Sequence, residues 1–421
     1  MNDDRATLIA ALEVAASAYQ KQEPRPTLLG TNPTHAIIDP LTAAVGACAA
    51  YQAVAGHAIF SGGSGPVLDA SSLATRLFEK GVRWGNDIPA AADWLLRLLT
   101  TRETKGLFKV AIWGIALDED VELSATTRLV PFAALPDSWM KGRISDRAKP
   151  CYDGSAWLTQ TYFDMPTVAL VEEVADFPYI RADLASFEIM NALIAKAHEL
   201  CVLIQAASLG QPLAVACWFE YADRELEYSE WENTFTWLLP EVAPHVKRIS
   251  LADPEAIKQN LKHFQTLTTD RRSKLLRSME RFRQSQCRRE TIDRILDLAL
   301  AFEISVSEKG DNAPPGWKVS VRSAQLIGGP LSARQENRAA IAALYDLRNQ
   351  ATHGGTLRPR SASQTVDGIV ATSARLYVEL TRTLLALPSK PRQLSLSLEL
   401  PPLLSAARPR PPINRDDPST A

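Results

Sequence analysis

The chain has few cysteines, and they are widely spaced. Its 421 residues include 5 cysteines, and no two of them form a Cys-x-x-Cys pair. Zinc sites commonly use such pairs, and disulfide-rich secreted domains use an even number of cysteines at short spacings. We therefore expect no metal, no other cofactor and a reducing compartment, the cytoplasm.

Long apolar runs and a leader sequence are also missing. No stretch reaches the roughly eighteen consecutive apolar residues that a membrane-spanning helix needs. The opening residues, MNDDRATLIA, begin with acidic side chains and lack a basic segment before an apolar block. We expect neither a membrane segment nor a signal peptide, and 46% hydrophobic with 22% charged residues fits a globular protein.

Two segments resemble ligand-binding sites, but each is better explained as a turn. The glycines of FSGGSGPVLDA (residues 60–70) are not followed by the Lys-Ser or Lys-Thr of a phosphate-binding loop. The acids of ALDEDVEL (residues 116–123) could surround a cation, although a charged hairpin turn explains them more simply. We therefore interpret both segments as turns.

The two halves of the chain differ in charge. Residues 246–421 carry 28 of the 46 lysines and arginines but only 17 of the 48 acids. A basic half favours a polyanionic partner such as RNA. Alternatively, the acidic and basic halves neutralise each other across an internal interface.

Periodicity predicts an α+β protein in four parts. Residues 1–104 are predicted to be a helix-rich region, with Asp39 and Pro40 at the start of one helix. Residues 105–245 contain short runs rich in Val, Ile, Thr and aromatics, among them 157–165, followed by a long helix ending near Gly210. They predict a small sheet with one helix packed against it, a regulatory or sensor region.

The C-terminal part is predicted to be entirely helical. Asp253, Pro254 and Glu255 are typical of a helix N-terminus, and helical patterns dominate residues 250–387. Residues 388–421 include eight prolines and predict a disordered tail.

One short stretch concentrates reactive side chains. In LYDLRNQATHGG (Leu344–Gly355) a helix ending at a left-handed Gly354 would place Tyr345, Asn349 and His353 on one stripe, with Arg348 beside it. Histidine transfers protons near neutral pH, and arginine binds phosphate oxygens through paired donors. These groups suit metal-independent cleavage of RNA; alternatively, the histidine only caps the helix and Arg348 pairs with an acid such as Asp346.

Three helical segments resemble the Apea-like branch of the HEPN family of small α-helical domains. They are DRILDLALAFEISV, WKVSVRSAQLIGG and IAALYDLRNQATHGG, between Asp293 and Gly355. Arg348, Asn349 and His353 match the family's R-x-x-x-x-H signature. The chain departs from the family at Phe302, where leucine is usual, and in the loop GDNAPPGW.

The resemblance implies an antiparallel helical bundle that pairs with a second copy, so that two R-x-x-x-x-H motifs share one cleft. Many members are ribonucleases of phage defence, toxin–antitoxin or RNA-processing systems, whereas others only bind RNA or partners. It implies that Arg348, Asn349 and His353 are catalytic. Glu303, Arg322 and Tyr345 would support them, with Glu303 and Arg322 expected to form an ion pair between the first two helices.

A second basic element precedes the motif. TDRRSKLLRSMERFRQSQCRRE (Thr269–Glu290) carries eight basic residues and three acids. Arg277, Arg281 and Arg288 are candidate contacts for RNA phosphates, and a solvated helix face is the alternative. The sequence thus predicts a homodimeric HEPN-type endoribonuclease controlled by an antitoxin or trigger protein. A non-catalytic dimerisation or RNA-binding scaffold is the alternative.

Overall fold

A computed structural model describes residues 2–21, 35–59, 67–84, 87–148, 165–181, 188–207, 212–226, 236–237, 250–251, 253–288, 290–307, 315–354 and 356–387. The expected strand at 157–165 and the expected tail at 388–421 lie outside these residues, apart from Met165. The architecture is mixed α and β, with a small sheet and a helical C-terminal region.

Helices make up the N-terminal region, as predicted. They are α1 (Asn2–Gln20), α2 (His35–Ala47), α3 (Ala49–Gln52), α4 (Ala70–Phe78), which continues into a π-helical turn, and α5 (Ile88–Thr100); the short strand β1 (Ala58–Ile59) lies between α3 and α4. The predicted start of α2 at Asp39 is wrong, because Pro40 lies inside that helix. Burial of Ile37 and Ile38 in the core draws the preceding turn into the helix.

The middle of the chain contains the strands β2 (Glu103–Trp113), β3 (Ile115–Ala116), β4 (Val121–Glu122), β5 (Thr127–Pro131), β6 (Val168–Pro178), β7 (Ile180–Arg181), β8 (Leu213–Tyr221), β9 (Thr236–Trp237) and β10 (Ser250–Leu251). Six of them form an antiparallel sheet with the strand order β4-β5-β6-β2-β8-β9. The remaining strands of the described residues form two short pairs, β1 with β7 and β3 with β10. The helices are α6 (Trp139–Ala148) and α7 (Glu188–Gln205).

The two faces of the sheet belong to different cores because side chains alternate along a strand. In β2, Phe108, Val110 and Ile112 face α7 and the N-terminal helices, with which they form one continuous hydrophobic core. Ala111 and Trp113 face the opposite side, where α6 covers them. The regions 1–104 and 105–245 therefore fold around a shared core.

The C-terminal region contains α8 (Pro254–Thr266), α9 (Thr269–Cys287), α10 (Thr291–Val306), α11 (Pro315–Ile327), α12 (Leu331–Thr352) and α13 (Val366–Ala386). Asp253 caps α8 as predicted, accepting hydrogen bonds from the backbone of Glu255 and Ala256. These helices enclose a separate hydrophobic core. Helix α7 joins the two cores: Cys201 and Ile204 pack towards the sheet, and Val202 and Leu203 pack towards the C-terminal helices.

The close approach of β2 and β8 gives a test of the sheet register. A Cβ atom at Gly106 would overlap the Phe219 ring and the carbonyl oxygen of Glu220. We expect Gly106→Ala to lower the free energy of unfolding by about 2 kcal/mol. Gly142→Ala is the matched control, because that exposed helical position has open space, and it should stabilise α6 by about 0.5–1 kcal/mol. Urea unfolding of both variants measures the difference, and equal stabilities would contradict the register.

Candidate functional site

Helix α12 ends where the sequence predicted. It runs from Leu331 to Thr352, and His353 is the C-cap residue with φ −97° and ψ 11°. Gly354 follows with φ +71°, the left-handed conformation that glycine adopts without strain. The backbone N–H of His353 donates to the Asn349 carbonyl at 3.2 Å, which completes the last turn. His353 is thus fixed at a helix end.

One face of α12 is fully buried and determines which side chains reach the surface. Ile341, Leu344 and Leu347 are at most 1% exposed and pack in the C-terminal core. Residues three and four positions apart lie on the same face of a helix, so their burial turns Asn349 and His353 outwards. Both of these residues are exposed.

Arg348 lies at the edge between the buried and exposed faces. Its guanidinium group is 3.8 Å from the carboxylate of Glu303 on α10, and its side chain remains 34% exposed. Its Nη1 also lies 3.4 Å from Oδ1 of Asn349, at the limit of a hydrogen bond. One long contact with an acid leaves most of the five guanidinium N–H donors available to water or a ligand.

Asp346 is not the acidic partner of Arg348. It pairs instead with Arg360, which follows the helix, at 2.6 Å. This geometry removes the simplest structural explanation for the arginine, an ion pair with its own helix. The acid that Arg348 approaches comes from another helix, which positions the guanidinium relative to the bundle.

The segment after α12 is held against the helix by one glutamine. The side chain of Gln350 accepts a hydrogen bond from the Arg358 backbone at 2.8 Å and donates to the Arg358 carbonyl at 3.0 Å. Two hydrogen bonds to one residue fix its position along the helix. Arg358 is exposed, so this clamp places a cation beside the helix end. Sequence reasoning missed this contact, because nothing local identifies Gln350 as its anchor.

Tyr345 belongs to the interior of the bundle. It is 4% exposed, and its hydroxyl donates to the Ala299 carbonyl of α10 at 3.2 Å. Burial raises the pKa of the Tyr345 phenol, and the nearby Glu303 carboxylate raises it further. The phenol is therefore neutral near pH 7 and serves as a structural anchor between α12 and α10.

Glu303 and Arg322 do not have the relationship that the sequence suggested. Glu303 approaches Arg348, and no ion pair joins it to Arg322 in the described residues. Arg322 is 5% exposed and its Nη1 lies 3.5 Å from the Val306 carbonyl, near the end of α10. The expected Glu303–Arg322 pair is therefore wrong, because α12 brings a different arginine to the acid.

Most cations of the basic helix α9 that the structure describes are held by the protein itself. Arg281 and Arg288 both contact the buried carboxylate of Asp297, at 3.2 and 3.0 Å. Arg271 donates to the carbonyls of Leu384 and Leu387 at the end of α13. Of the three residues predicted to contact RNA, Arg277 alone is exposed without an ion pair in the described part of the chain.

The described ranges lack a metal-binding cluster and a membrane-spanning helix. No group of three or more His, Cys, Asp or Glu residues there could hold a metal ion. No helix there combines the length and the apolar character needed to cross a membrane.

Comparison with family models, curated proteins and solved structures found no match to this chain. The site is therefore defined by its own geometry: Arg348, Asn349 and His353 lie at one end of α12, with Asn349 and His353 exposed, Arg348 half-buried and Glu303 next to the arginine.

The anchoring role of Tyr345 can be tested by removing one atom. We expect Tyr345→Phe to lower the free energy of unfolding by about 1 kcal/mol, because it deletes a buried hydrogen bond. Tyr51→Phe is the control, since the hydroxyl of that half-buried tyrosine makes no hydrogen bond within the described residues. Urea unfolding followed by circular dichroism measures both, and an unchanged stability for Tyr345→Phe would contradict the assignment.

Proposed function

We propose that the protein is a metal-independent endoribonuclease of the HEPN type, with its active site at the C-terminal end of α12. The observation that carries the proposal is the placement of half-buried Arg348 and exposed Asn349 and His353 at one fixed helix end. A basic C-terminal half supports a polyanionic substrate.

The chemistry follows from the side chains. An imidazole takes the proton from a ribose 2′-hydroxyl, the 2′-oxygen attacks the adjacent phosphorus, and the bond to the 5′-oxygen breaks as that oxygen receives a proton. The products are a 2′,3′-cyclic phosphate and a 5′-hydroxyl end. Arg348 stabilises the negative charge that develops on the phosphate, and Asn349 orients the phosphate or the imidazole.

This reaction needs a base and an acid, whereas one set of residues supplies a single imidazole. A homodimer formed through the C-terminal helices would bring two His353 side chains to one cleft across a two-fold axis. His353 is exposed and could meet a second copy. The N-terminal region would then respond to an antitoxin or a trigger protein, in phage defence or a toxin-like stress response.

The site assignment predicts loss of cleavage in one variant. We expect His353→Ala to lower the rate of RNA cleavage by about 10²- to 10⁴-fold, the usual contribution of a proton-transferring group. His263→Ala is the matched control, because His263 likewise lies near the C-terminal end of a helix, in the last turn of α8. Total RNA is incubated with each purified full-length variant and the new ends are mapped.

An unchanged rate for His353→Ala would refute the site. RNA binding without strand scission by the wild-type protein, with an affinity that falls steeply with salt, would instead identify the non-catalytic scaffold.

The proposed chemistry also predicts the product and the metal requirement. Cleavage should continue at the same rate in excess EDTA, because no step uses a metal ion. Every new 3′ end should carry a cyclic phosphate, detected as resistance to phosphatase until mild acid opens the ring. Loss of cleavage in EDTA, or 3′-hydroxyl products, would contradict the mechanism.

A further inference from the structure

Trp317 is an exposed tryptophan at the start of α11. Its side chain is 46% exposed. Among the large hydrophobic residues that are strongly exposed in the described ranges, it is the one tryptophan. The next residues of the helix, Lys318 to Leu326, are all buried. Trp317 therefore remains open to solvent although its helix is covered, which leaves a large aromatic face without a described covering.

The helical hairpin of α11 and α12 places Trp317 at the same end of the bundle as the proposed active site. Only residues 328–330 connect the two helices, so they run antiparallel and the start of α11 lies beside the second half of α12. A Cβ atom built at Gly316 would lie 3.0 Å from the ring of Tyr345, which places the start of α11 at the level of Tyr345. From there α12 continues for about one turn to Arg348 and about two turns to His353.

The direction of the side chain adds to this placement. In an α-helix the Cα–Cβ bonds tilt towards the N-terminus. Trp317 therefore leans towards the open end of α11, in the direction in which α12 continues to Arg348 and His353. The indole ring and the proposed catalytic groups are directed to the same end of the hairpin.

The residues around the end of α12 form a surface that runs from the side that contacts α11 to the side that holds Arg358. At about 100° per residue, Asn349 and His353 lie between Tyr345, which contacts α11, and Gln350, which holds Arg358. A chain crossing this end of the helix from Trp317 would meet Asn349 and His353 and then Arg358. The path begins with an aromatic face and ends with a cation.

We propose that Trp317 is a stacking platform for an unpaired nucleobase on the same side of the bundle as the scissile phosphate, and that the preferred substrate is single-stranded RNA. This inference rests on the proposed function. Bases stack on aromatic side chains while phosphates bind cations, the usual combination in single-strand recognition. A duplex hides its base faces, so this platform would not engage it.

The test measures binding with a strand that cannot be cleaved. The probe is a fluorescein-labelled 2′-O-methyl oligoadenylate, because methylation blocks the attacking 2′-oxygen. Two further probes are an abasic strand of the same length and a fully paired duplex. Fluorescence anisotropy gives the dissociation constants of the full-length wild type, Trp317→Ala, Trp317→Phe and Leu331→Ala. Leu331 is the matched control, a 40% exposed apolar residue at the opposite end of the same hairpin.

We expect Trp317→Ala to weaken binding of the oligoadenylate by about 5- to 100-fold. Trp317→Phe should recover part of the loss, since it retains an aromatic face, and Leu331→Ala should have no effect. Binding of the abasic strand and of the duplex should be the same for Trp317→Ala and the wild type. An equal loss with the abasic strand, or no loss with the oligoadenylate, would overturn the platform.

RNA cleavage and light scattering distinguish failure of the stacking platform from failure of the proposed nuclease function. If the wild type cleaves RNA while Trp317→Ala binds the oligoadenylate normally, the platform is refuted and the proposed nuclease function stands. If the wild type neither cleaves RNA nor binds any probe, both proposals fail. If light scattering shows that Trp317→Ala alters the oligomeric state, the tryptophan is a protein contact and the platform is refuted.

Discussion

Burial of the apolar face of α12 is the constraint on which the candidate site depends. Ile341, Leu344 and Leu347 are each almost completely removed from solvent, and burying a leucine or isoleucine stabilises a fold by roughly 1.5–3 kcal/mol. That energy fixes the rotation of the helix about its axis. A different rotation would bury His353 or expose the leucines, so core packing decides which polar groups face a ligand.

Some basic side chains of the C-terminal half stabilise the fold, and others face solvent. Arg271, Arg272 and Lys274, at the start of α9, donate to carbonyls at the ends of α13, α8 and α10. The last carbonyls of a helix have no partner within it. Cations at that end also interact favourably with the partial negative charge of the helix C-terminus. Net charge therefore overstates the number of cations that remain available to a polyanion. If the proposed function holds, RNA would be bound by Arg348 and Arg358 beside the end of α12 more than by the basic helix.

Local sequence patterns predicted the local structure correctly, but they did not predict contacts between residues that are distant in the sequence. The cap at Asp253 and the left-handed Gly354 each depend on neighbours a few residues away, and the structure confirms them. The partner of Glu303 depends on how α10 and α12 cross, and the clamp on Arg358 depends on the path of a loop. The interior position of Pro40 depends on a core that the helix spacing alone does not reveal.

Helix α7 is the packed connection between the N-terminal region and the C-terminal helices. It packs in both cores, and Arg382 of α13 donates to the Ala206 carbonyl just after its end at 2.6 Å. Since α13 also packs against α12 in the same core, a continuous series of packed elements joins the sheet to the helix that carries His353. Close-packed interiors switch between discrete arrangements and do not deform gradually. A trigger bound by the first 245 residues would therefore act by changing how α7 seats on α9 and α13, without contacting the proposed active site.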